Sequence, residues 1–222
     1  MSRLVIDIET LAFPLDSFDQ TQQEYLLRFA ESEEDKVEAI QRLNLYAPTA
    51  RIIAIGMYNP DTERGKVLFQ ADEKIDSFAE TDMVHYLTGT EPEILAGFWE
   101  DVAKYEQIIT FNGRGFDCPF LHLRSAILSV KPTKNLMPYR YEYAQHCDLL
   151  EQLTFYGAVR KFNLDFYCKS FGIESPKSHG ITGLDLGKLW GEKLFREIAE
   201  YCLGDLKATA ELFRRWENYL KC

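Results

Sequence analysis

Three short apolar segments in the first third of the chain have the alternating, branched composition of buried strands. They cover residues 2–8, 51–58 and 65–70. Residues 59–61 have the sequence Asn-Pro-Asp, which is a turn signal between the second and third segments. The pattern therefore predicts that these two strands form an antiparallel hairpin.

The rest of the pattern alternates between helix and strand. A strand at 107–111 is followed by a helical pattern from Phe116 to about Leu128. A short fifth strand at 146–147 precedes an apolar helix at 148–156, and helical periodicity then prevails to the end of the chain. We therefore predict an α/β fold with a mixed five-stranded sheet and helices on its faces.

Residues 16–44 interrupt this pattern with a polar, strongly acidic segment. Its apolar residues recur at helical spacing and predict two amphipathic helices. They are Tyr25, Leu26, Phe29, Val37, Ile40 and Leu43. The segment is interpreted as a solvated helical insertion, and the alternative is a lid or a dimer surface. Because no linker or repeat is found, the whole of residues 1–222 is predicted to form a single domain.

Composition bounds the class of protein. With 46% hydrophobic residues among 222, the chain can bury a substantial core. The sequence has no secretory segment and no apolar run long enough to span a membrane, which predicts a cytoplasmic protein without a membrane partner. The five cysteines are odd in number and form no CxxC pair, so buried reduced thiols are expected.

The net charge of −10 is unusual for a protein that binds nucleic acid. The charge is unevenly distributed, however. Residues 1–110 contain 9 basic and 22 acidic residues, whereas residues 111–222 contain 16 basic and 13 acidic residues. A nucleic-acid partner is therefore not excluded by the charge.

Two acids end the first predicted strand. Asp7 and Glu9 are two residues apart in the run Asp-Ile-Glu-Thr, so a strand would project both carboxylates from one face. Two buried like charges are costly unless a cation compensates them. Magnesium or manganese, which prefer oxygen ligands, would suit such a pair.

Two further acids stand at element boundaries later in the chain. Asp117 follows a strand and a glycine-flanked turn, where α/β sheets place ligands, although it could equally be a helix N-cap. Tyr201 and Asp205 are four residues apart in a helical segment and share one helix face. Each feature alone has an ordinary structural explanation, and it is their order that indicates a metal site.

In this order the motifs resemble those of the DEDD superfamily of 3′→5′ exonucleases, which have a ribonuclease H-like fold. The first motif is matched by the DIET sequence, the second by Asn-Gly-Arg-Gly-Phe-Asp ending at Asp117, and the third by Tyr201 with Asp205. The tyrosine four residues before the aspartate resembles the tyrosine subclass. Within it, the chain is similar to stand-alone exonucleases related to the proofreading domain of family B DNA polymerases, and no linked polymerase domain is expected.

The resemblance implies the catalytic chemistry. Asp7, Glu9, Asp117 and Asp205 would hold two divalent ions, Mg²⁺ or Mn²⁺, of which one activates water and the other stabilises the leaving 3′ oxygen. Tyr201 would orient the attacking water rather than deprotonate it, because an ordinary tyrosine pKa near ~10 makes a poor base at neutral pH. The expected reaction is hydrolysis from the 3′ end of single-stranded nucleic acid, with DNA favoured, releasing nucleoside 5′-monophosphates.

Substrate contacts are predicted from residue type and position. Thr10 and the surrounding backbone, Asn112 and Phe116 would bind the terminal nucleotide, with Phe116 as an apolar platform. Candidate phosphate contacts are Arg114, Lys161, Lys177 and Lys188, and His179 is a further loop candidate. The alternatives are a catalytically silent nucleic-acid-binding module of the same fold and a ribonuclease H-type endonuclease.

Overall fold

The computed structural model describes residues 2–81, 83–175, 183 and 185–221. These residues form a seven-stranded mixed sheet with the strand order β4-β5-β3-β2-β1-β6-β7. The strands are β1 (Arg3–Ala12), β2 (Ala50–Asn59), β3 (Arg64–Phe69), β4 (Asp76–Ala79), β5 (Val84–Thr88), β6 (Gln107–Thr110) and β7 (His146–Asp148). The mixed α/β class is as predicted, and the architecture is consistent with a ribonuclease H-like fold.

The predicted count of five strands is wrong, because β4 and β5 extend the sheet beyond β3. β5 runs parallel to β3, and β4 pairs antiparallel with β5 at the edge. β4 has only four residues, and none of them is buried. Its sequence, Asp-Ser-Phe-Ala, therefore shows no alternation of apolar and polar residues that would predict a strand. β5 does carry a signal, since Val84 and Tyr86 alternate with less buried residues, but it is only five residues long.

The first strand is longer than its sequence pattern indicated. β1 pairs antiparallel with β2 along most of its length and continues to Ala12, with a register shift between Glu9 and Thr10. It pairs with β6 in parallel only from Arg3 to Val5. The two acids of the first motif therefore lie within a central strand, past the point where β6 has separated from it.

Helices cover both faces of the sheet. The described helices are α1 (Gln20–Leu27), α2 (Glu33–Gln41), α3 (Glu91–Val102), α4 (Asp117–Ile127), α5 (Leu149–Leu153), α6 (Leu164–Ser170), α7 (Leu186–Gly191) and α8 (Phe195–Tyr219). One face packs against α8 through Val5 of β1, and the other packs against α3 and α4 through Leu4, Ile6 and Ile8. Successive β1 residues thus alternate between two cores, as a fully covered strand requires.

A glycine on β2 allows α8 to approach the sheet at the first motif. Gly56 is the register partner of Asp7. A Cβ atom at position 56 would lie 2.4 Å from Cδ1 of Leu206 and 2.7 Å from Sγ of Cys202, both on α8. A larger residue at position 56 would force these two side chains to move, so Gly56 permits the close helix–strand spacing beside Asp7.

The acidic insertion contains α1, α2 and a 3₁₀ helix at Arg42–Leu45. Asp19 and Ser32 form capping boxes at the starts of α1 and α2. No residue of either α-helix is buried, and of the predicted apolar stripe only Leu43, in the 3₁₀ helix, is buried. The two helices therefore lie on the surface, and the segment is anchored through the 3₁₀ turn.

Two sequence expectations concern the chain as a whole. Four of the five cysteines are buried free thiols, as predicted, and Cys222 lies outside the described residues. Across the described ranges, no helix combines the length and the apolar composition needed to cross a membrane.

Candidate active site

The first two acids lie side by side on the α8 face of β1. Asp7 and Glu9 follow Val5 at two-residue intervals, and Val5 packs in the α8-side core. Glu9 is almost fully buried, and Asp7 is half-buried. The strand thus projects both carboxylates from the same face, as predicted.

The third acid reaches β1 from the start of α4. β6 ends at Thr110, and the loop after it includes Asn112 in the left-handed region at φ +62°. Asp117 is the first residue of α4, and Phe116, not Asp117, is the N-cap residue. The carboxylate of Asp117 accepts a hydrogen bond of 3.0 Å from the backbone amide of Ile8. This amide is available because β6 no longer pairs with β1 there.

The fourth acid comes from α8. Asp205 lies one turn after Tyr201, and between them Cys202 places its Sγ 3.9 Å from Oδ2 of Asp7. Asp7, Glu9 and Cys202 each offer a ligand atom within 4.8 Å of one another. The close approach at Gly56 therefore brings this helix face against the two acids of β1.

All four predicted metal ligands line one cavity of about 500 Å³. Asn112 and Phe116, which were predicted to bind the terminal nucleotide, line the same cavity. The lining side chains that were not identified from the sequence include three large apolar or aromatic ones: Leu45, Tyr46 and Phe111. The cavity thus combines an acidic floor with apolar and aromatic walls.

The carboxylates repel one another in the absence of a cation. Burial, and then the neighbouring carboxylates, raise the pKa of both Asp7 and Glu9 well above their ordinary values. Burial raises the pKa of Asp117 to about 7, against the lowering effect of its backbone hydrogen bonds. Without a cation, ionising all of these carboxylates together is unfavourable, because each negative charge raises the pKa of the others. A hard divalent cation that binds oxygen ligands stabilises the ionised carboxylates. The donor set of Asp7, Glu9, Asp117 and Asp205 therefore fits magnesium or manganese.

Tyr201 lines a different cavity from the four acids. This second cavity has a volume of about 660 Å³ and lies next to α8. Burial is the largest cause that raises the pKa of the Tyr201 phenol above the ordinary value, followed by the charge of Asp205, to which the hydroxyl is also hydrogen-bonded. Tyr201 is therefore a neutral hydrogen-bond donor at the edge of the acidic cluster.

Other predicted contacts are placed differently. Thr10 is buried and its hydroxyl donates to the carbonyl oxygen of Asn44 at 2.8 Å, so the hydroxyl is used within the protein. Arg114 donates to the carbonyl oxygens of Pro138 and Tyr139. Exposed candidates are Lys161 and Lys188, whereas Lys177 and His179 lie outside the described residues.

Asp148 organises the loop beside the second motif. As the N-cap of α5, its carboxylate accepts a hydrogen bond from the amide of Leu150, and it also accepts the amides of Asn112 and Arg114, each at 2.9–3.0 Å. Since Asn112 lines the acidic cavity, Asp148 fixes one of its walls.

The segment 42–49, which follows the two helices of the insertion, contributes Leu45 and Tyr46 to the lining of the same cavity. Thr49 donates its hydroxyl to the carbonyl oxygen of Leu43 at 2.6 Å. Arg124 donates to the carbonyl oxygen of Ala47 at 3.2 Å and forms a buried pair with Glu91 at 2.6 Å. These bonds hold the segment against the sheet, while Tyr46 remains 55% exposed at the rim of the cavity.

A mixed α/β sheet with an acidic cluster on its central strand is typical of nucleases with the ribonuclease H-like fold. Residues 45–220 match the family described as "Predicted 3'-5' exonuclease related to the exonuclease domain of PolB". The chain belongs to this family. The matched residues include Asp117, Tyr201 and Asp205, whereas Asp7 and Glu9 precede them.

Two curated proteins are similar to parts of the chain. DNA polymerase 1 of Sulfurisphaera ohwakuensis is 28% identical over 156 residues, which are 62% of this chain and 18% of that protein. DNA polymerase 1 of Sulfolobus acidocaldarius is 22% identical over 169 residues, which are 72% of this chain and 19% of that protein. The chain thus spans about a fifth of the length of these relatives.

Proposed function

We propose that this chain is a metal-dependent exonuclease that removes nucleotides from the 3′ end of a single strand, releasing nucleoside 5′-monophosphates. One observation carries the proposal: four carboxylates from β1, α4 and α8 converge on a single cavity. The family of the chain supports the direction of cleavage. The tyrosine one turn before Asp205 supports assignment to the tyrosine subclass of the DEDD exonucleases.

The metal ligands would be Asp7, Glu9, Asp117 and Asp205. Two divalent ions bound there would supply an activated water and charge stabilisation for the leaving 3′ oxygen. The protein itself supplies the positioning. The hydrogen bond from the Ile8 amide positions Asp117, and Gly56 leaves room for Cys202 and Leu206 of α8, the helix that carries Asp205.

Tyr201 would orient the attacking water. Its raised pKa keeps the phenol protonated throughout the neutral range, so it donates a hydrogen bond and does not accept a proton. In this structure the hydroxyl of Tyr201 is hydrogen-bonded to Asp205. An attacking water would have to share this hydroxyl with Asp205. The proposed contribution is orientation.

The strand end would be held by the walls of the cavity. Asn112 offers hydrogen bonds, and Phe116 and Tyr46 offer aromatic faces for the terminal base. DNA is the favoured polymer because the relatives that cover part of this chain are DNA polymerases by name.

The test is hydrolysis of 5′-labelled single-stranded DNA and RNA of the same sequence with Mg²⁺, Mn²⁺ or EDTA. We expect a ladder that shortens from the 3′ end, requires metal, is faster on DNA and is at least about 100-fold slower in Asp205→Asn. A 3′-phosphorylated strand is the matched substrate control, because it lacks the free hydroxyl end.

Other product patterns would reject the proposal. A single internal cut would favour a ribonuclease H-type endonuclease. Binding of the strand without cleavage in either metal would favour a silent binding module. Equal rates on RNA and DNA would remove the preference for DNA and leave the 3′→5′ reaction standing.

A further inference from the structure

Four aromatic rings lie in series from the acidic cavity to the protein surface. Phe111 lines the cavity, and its ring meets that of Tyr167 at a centroid distance of 6.0 Å. Tyr167 meets Phe162 at 5.9 Å, and Phe162 stacks on Phe166 at 4.3 Å with an interplanar angle of 11°. We call these four residues the aromatic track.

The outer end of the track is exposed and lies on a capped helix. Phe166, on α6, leaves 51% of its surface open to solvent. The side chain of Asn163 caps this helix by accepting the amide of Phe166 at 2.9 Å. The ring is therefore presented on a capped helix and not on a free loop, which reduces the entropy lost when a ligand stacks on it.

The track is flanked by positive charge in a protein that is acidic overall. The guanidinium of Arg160 lies 5.1 Å from the centre of the Phe162 ring, and Lys161 beside it is exposed. The nearby acid Asp165 is paired with Lys169 at 3.0 Å. Residues 160–169 thus contain three basic residues and one acid, against a net charge of −10 for the chain.

Rings in series beside cations suit one ligand in particular. Single-stranded nucleic acid carries bases that stack on aromatic side chains and phosphates that attract Arg and Lys. A peptide that matched the cations would have to be acidic, but it would not use a run of rings that begins inside the acidic cavity. Continuity with that cavity therefore favours the strand whose 3′ end the cavity holds.

We propose that the aromatic track, with Arg160 and Lys161, binds the single strand upstream of the 3′ end. This inference rests on the proposed function for the direction of the bound strand, with its 3′ end in the cavity. Binding of the strand to the track does not itself depend on hydrolysis. Its consequence is a preference for long strands over short ones, because only a strand long enough to leave the cavity reaches Phe166.

The first test measures binding without cleavage. Fluorescence anisotropy with labelled oligothymidines of increasing length is recorded on an Asp205→Asn background. Phe166→Ala should weaken binding of a long strand about 5- to 160-fold, the range for the loss of one stacked base. Phe166→Tyr keeps the ring and should bind like the parent.

A matched control is Phe29→Ala in the turn after α1, which removes another exposed phenylalanine far along the chain from the track and should leave the affinity unchanged. Arg160→Ser with Lys161→Ser should flatten the dependence of log Kd on log salt by about 0.7 for each phosphate that the variant no longer neutralises. Melting curves of all variants check that the fold is kept.

The second test measures hydrolysis by the enzyme with its four carboxylates intact. The ratio of kcat/KM for a 16-nucleotide strand to that for a dinucleotide should fall in Phe166→Ala by the same factor as the affinity. The track is not a binding surface if Phe166→Ala binds long strands as tightly as Phe29→Ala does. It is also not a binding surface if Phe166→Tyr binds them as weakly as Phe166→Ala does. If Phe166→Ala weakens binding but the parent protein cleaves no substrate, the track would be supported as a binding surface and the proposed nuclease would be rejected.

Discussion

The carboxylate of Asp117 and the backbone amide of Ile8 are joined by a hydrogen bond of 3.0 Å in a buried setting. Ile8 lies between the two acids of β1, so this single bond connects the second motif to the first. It exists because β6 pairs with β1 only as far as Val5 and leaves the later amides of that edge to other partners. Asp117 thereby has a structural role beside its proposed role as a metal ligand.

The two roles of Asp117 can be separated by substitution. Asp117→Asn keeps an oxygen that accepts the Ile8 amide, so we expect near-normal stability with at least about 100-fold slower hydrolysis. Asp117→Ala leaves that amide buried and unpaired, which should cost about 1–3 kcal/mol in the free energy of unfolding. Urea denaturation and initial rates measure the two effects. Equal stability of the two variants would contradict the structural role.

Removing one acid should stabilise the metal-free protein. Burial and neighbouring carboxylates raise the folded-state pKa of Asp7 above its unfolded value, so the folded protein loses stability as the pH rises between the two values. At about pH 8, Asp7→Asn should therefore melt higher than the parent without metal. With saturating Mg²⁺ the parent should gain stability and the variant much less.

Thermal melts with and without Mg²⁺ measure this difference. Glu34→Gln, which neutralises an acid in the first turn of α2, is the matched control and should retain the full response to Mg²⁺. A parent protein that melts at the same temperature with EDTA and with Mg²⁺ would count against the metal site.

Tyr201→Phe should lose rate without losing metal. Because burial and Asp205 raise the phenol pKa above its ordinary value, the hydroxyl stays protonated from about pH 6 to 9. The loss in kcat should therefore be the same factor across this range, while the affinity for Mg²⁺ measured by calorimetry is kept. A loss that grows with pH would indicate that the tyrosine acts as a base.

His146 should make the protein sensitive to acid. Burial, assisted by the charge of Arg114, lowers the pKa of His146 to about 3, and the ring bonds to the Thr110 hydroxyl at 2.8 Å. Its pKa in the unfolded chain is near ~6.5. The unfolded state therefore binds more protons between these values, and stability is lost as the pH falls below about 6.5, by at most about 1.4 kcal/mol per pH unit from this group.

Chemical denaturation of wild type and His146→Gln between about pH 7 and 4 tests this sign, because glutamine can bond to Thr110 but does not titrate there. The slope of stability against pH should be shallower in the variant. His85→Gln, at a partly exposed position, is the control and should keep the wild-type slope from His146.

Tyr46 should bind substrate although no motif includes it. It lines the acidic cavity and is half exposed, so a terminal base can stack on its ring. Tyr46→Ala should raise KM for a single strand about 5- to 160-fold, and Tyr46→Phe should keep the parent KM. Steady-state kinetics measure this, with Tyr25→Ala on α1 as an exposed tyrosine control. An unchanged KM would remove Tyr46 from the site.

The acids of the site were accessible to sequence reasoning because each belongs to a local pattern. Asp7 and Glu9 follow from strand periodicity, and the spacing of Tyr201 and Asp205 follows from helix periodicity. Tyr46 and Phe111 carry no such signal, because they line the cavity only through how segment 42–49 and the loop after β6 fold back. β4 and β5 were missed since short edge strands owe their conformation to pairing more than to composition.

By itself, the sequence determined which side chains share a face of an element, the mixed α/β class and the acidic character of the site. These are properties of neighbours along the chain, set by periods of 2 and 3.6 residues. Only the tertiary structure decided that Asp117 bonds to Ile8, that Gly56 admits α8 beside Asp7, and that Thr10 turns away from the cavity to Asn44. Such relationships depend on packing between segments that lie far apart in sequence, and no local pattern encodes the distance between them.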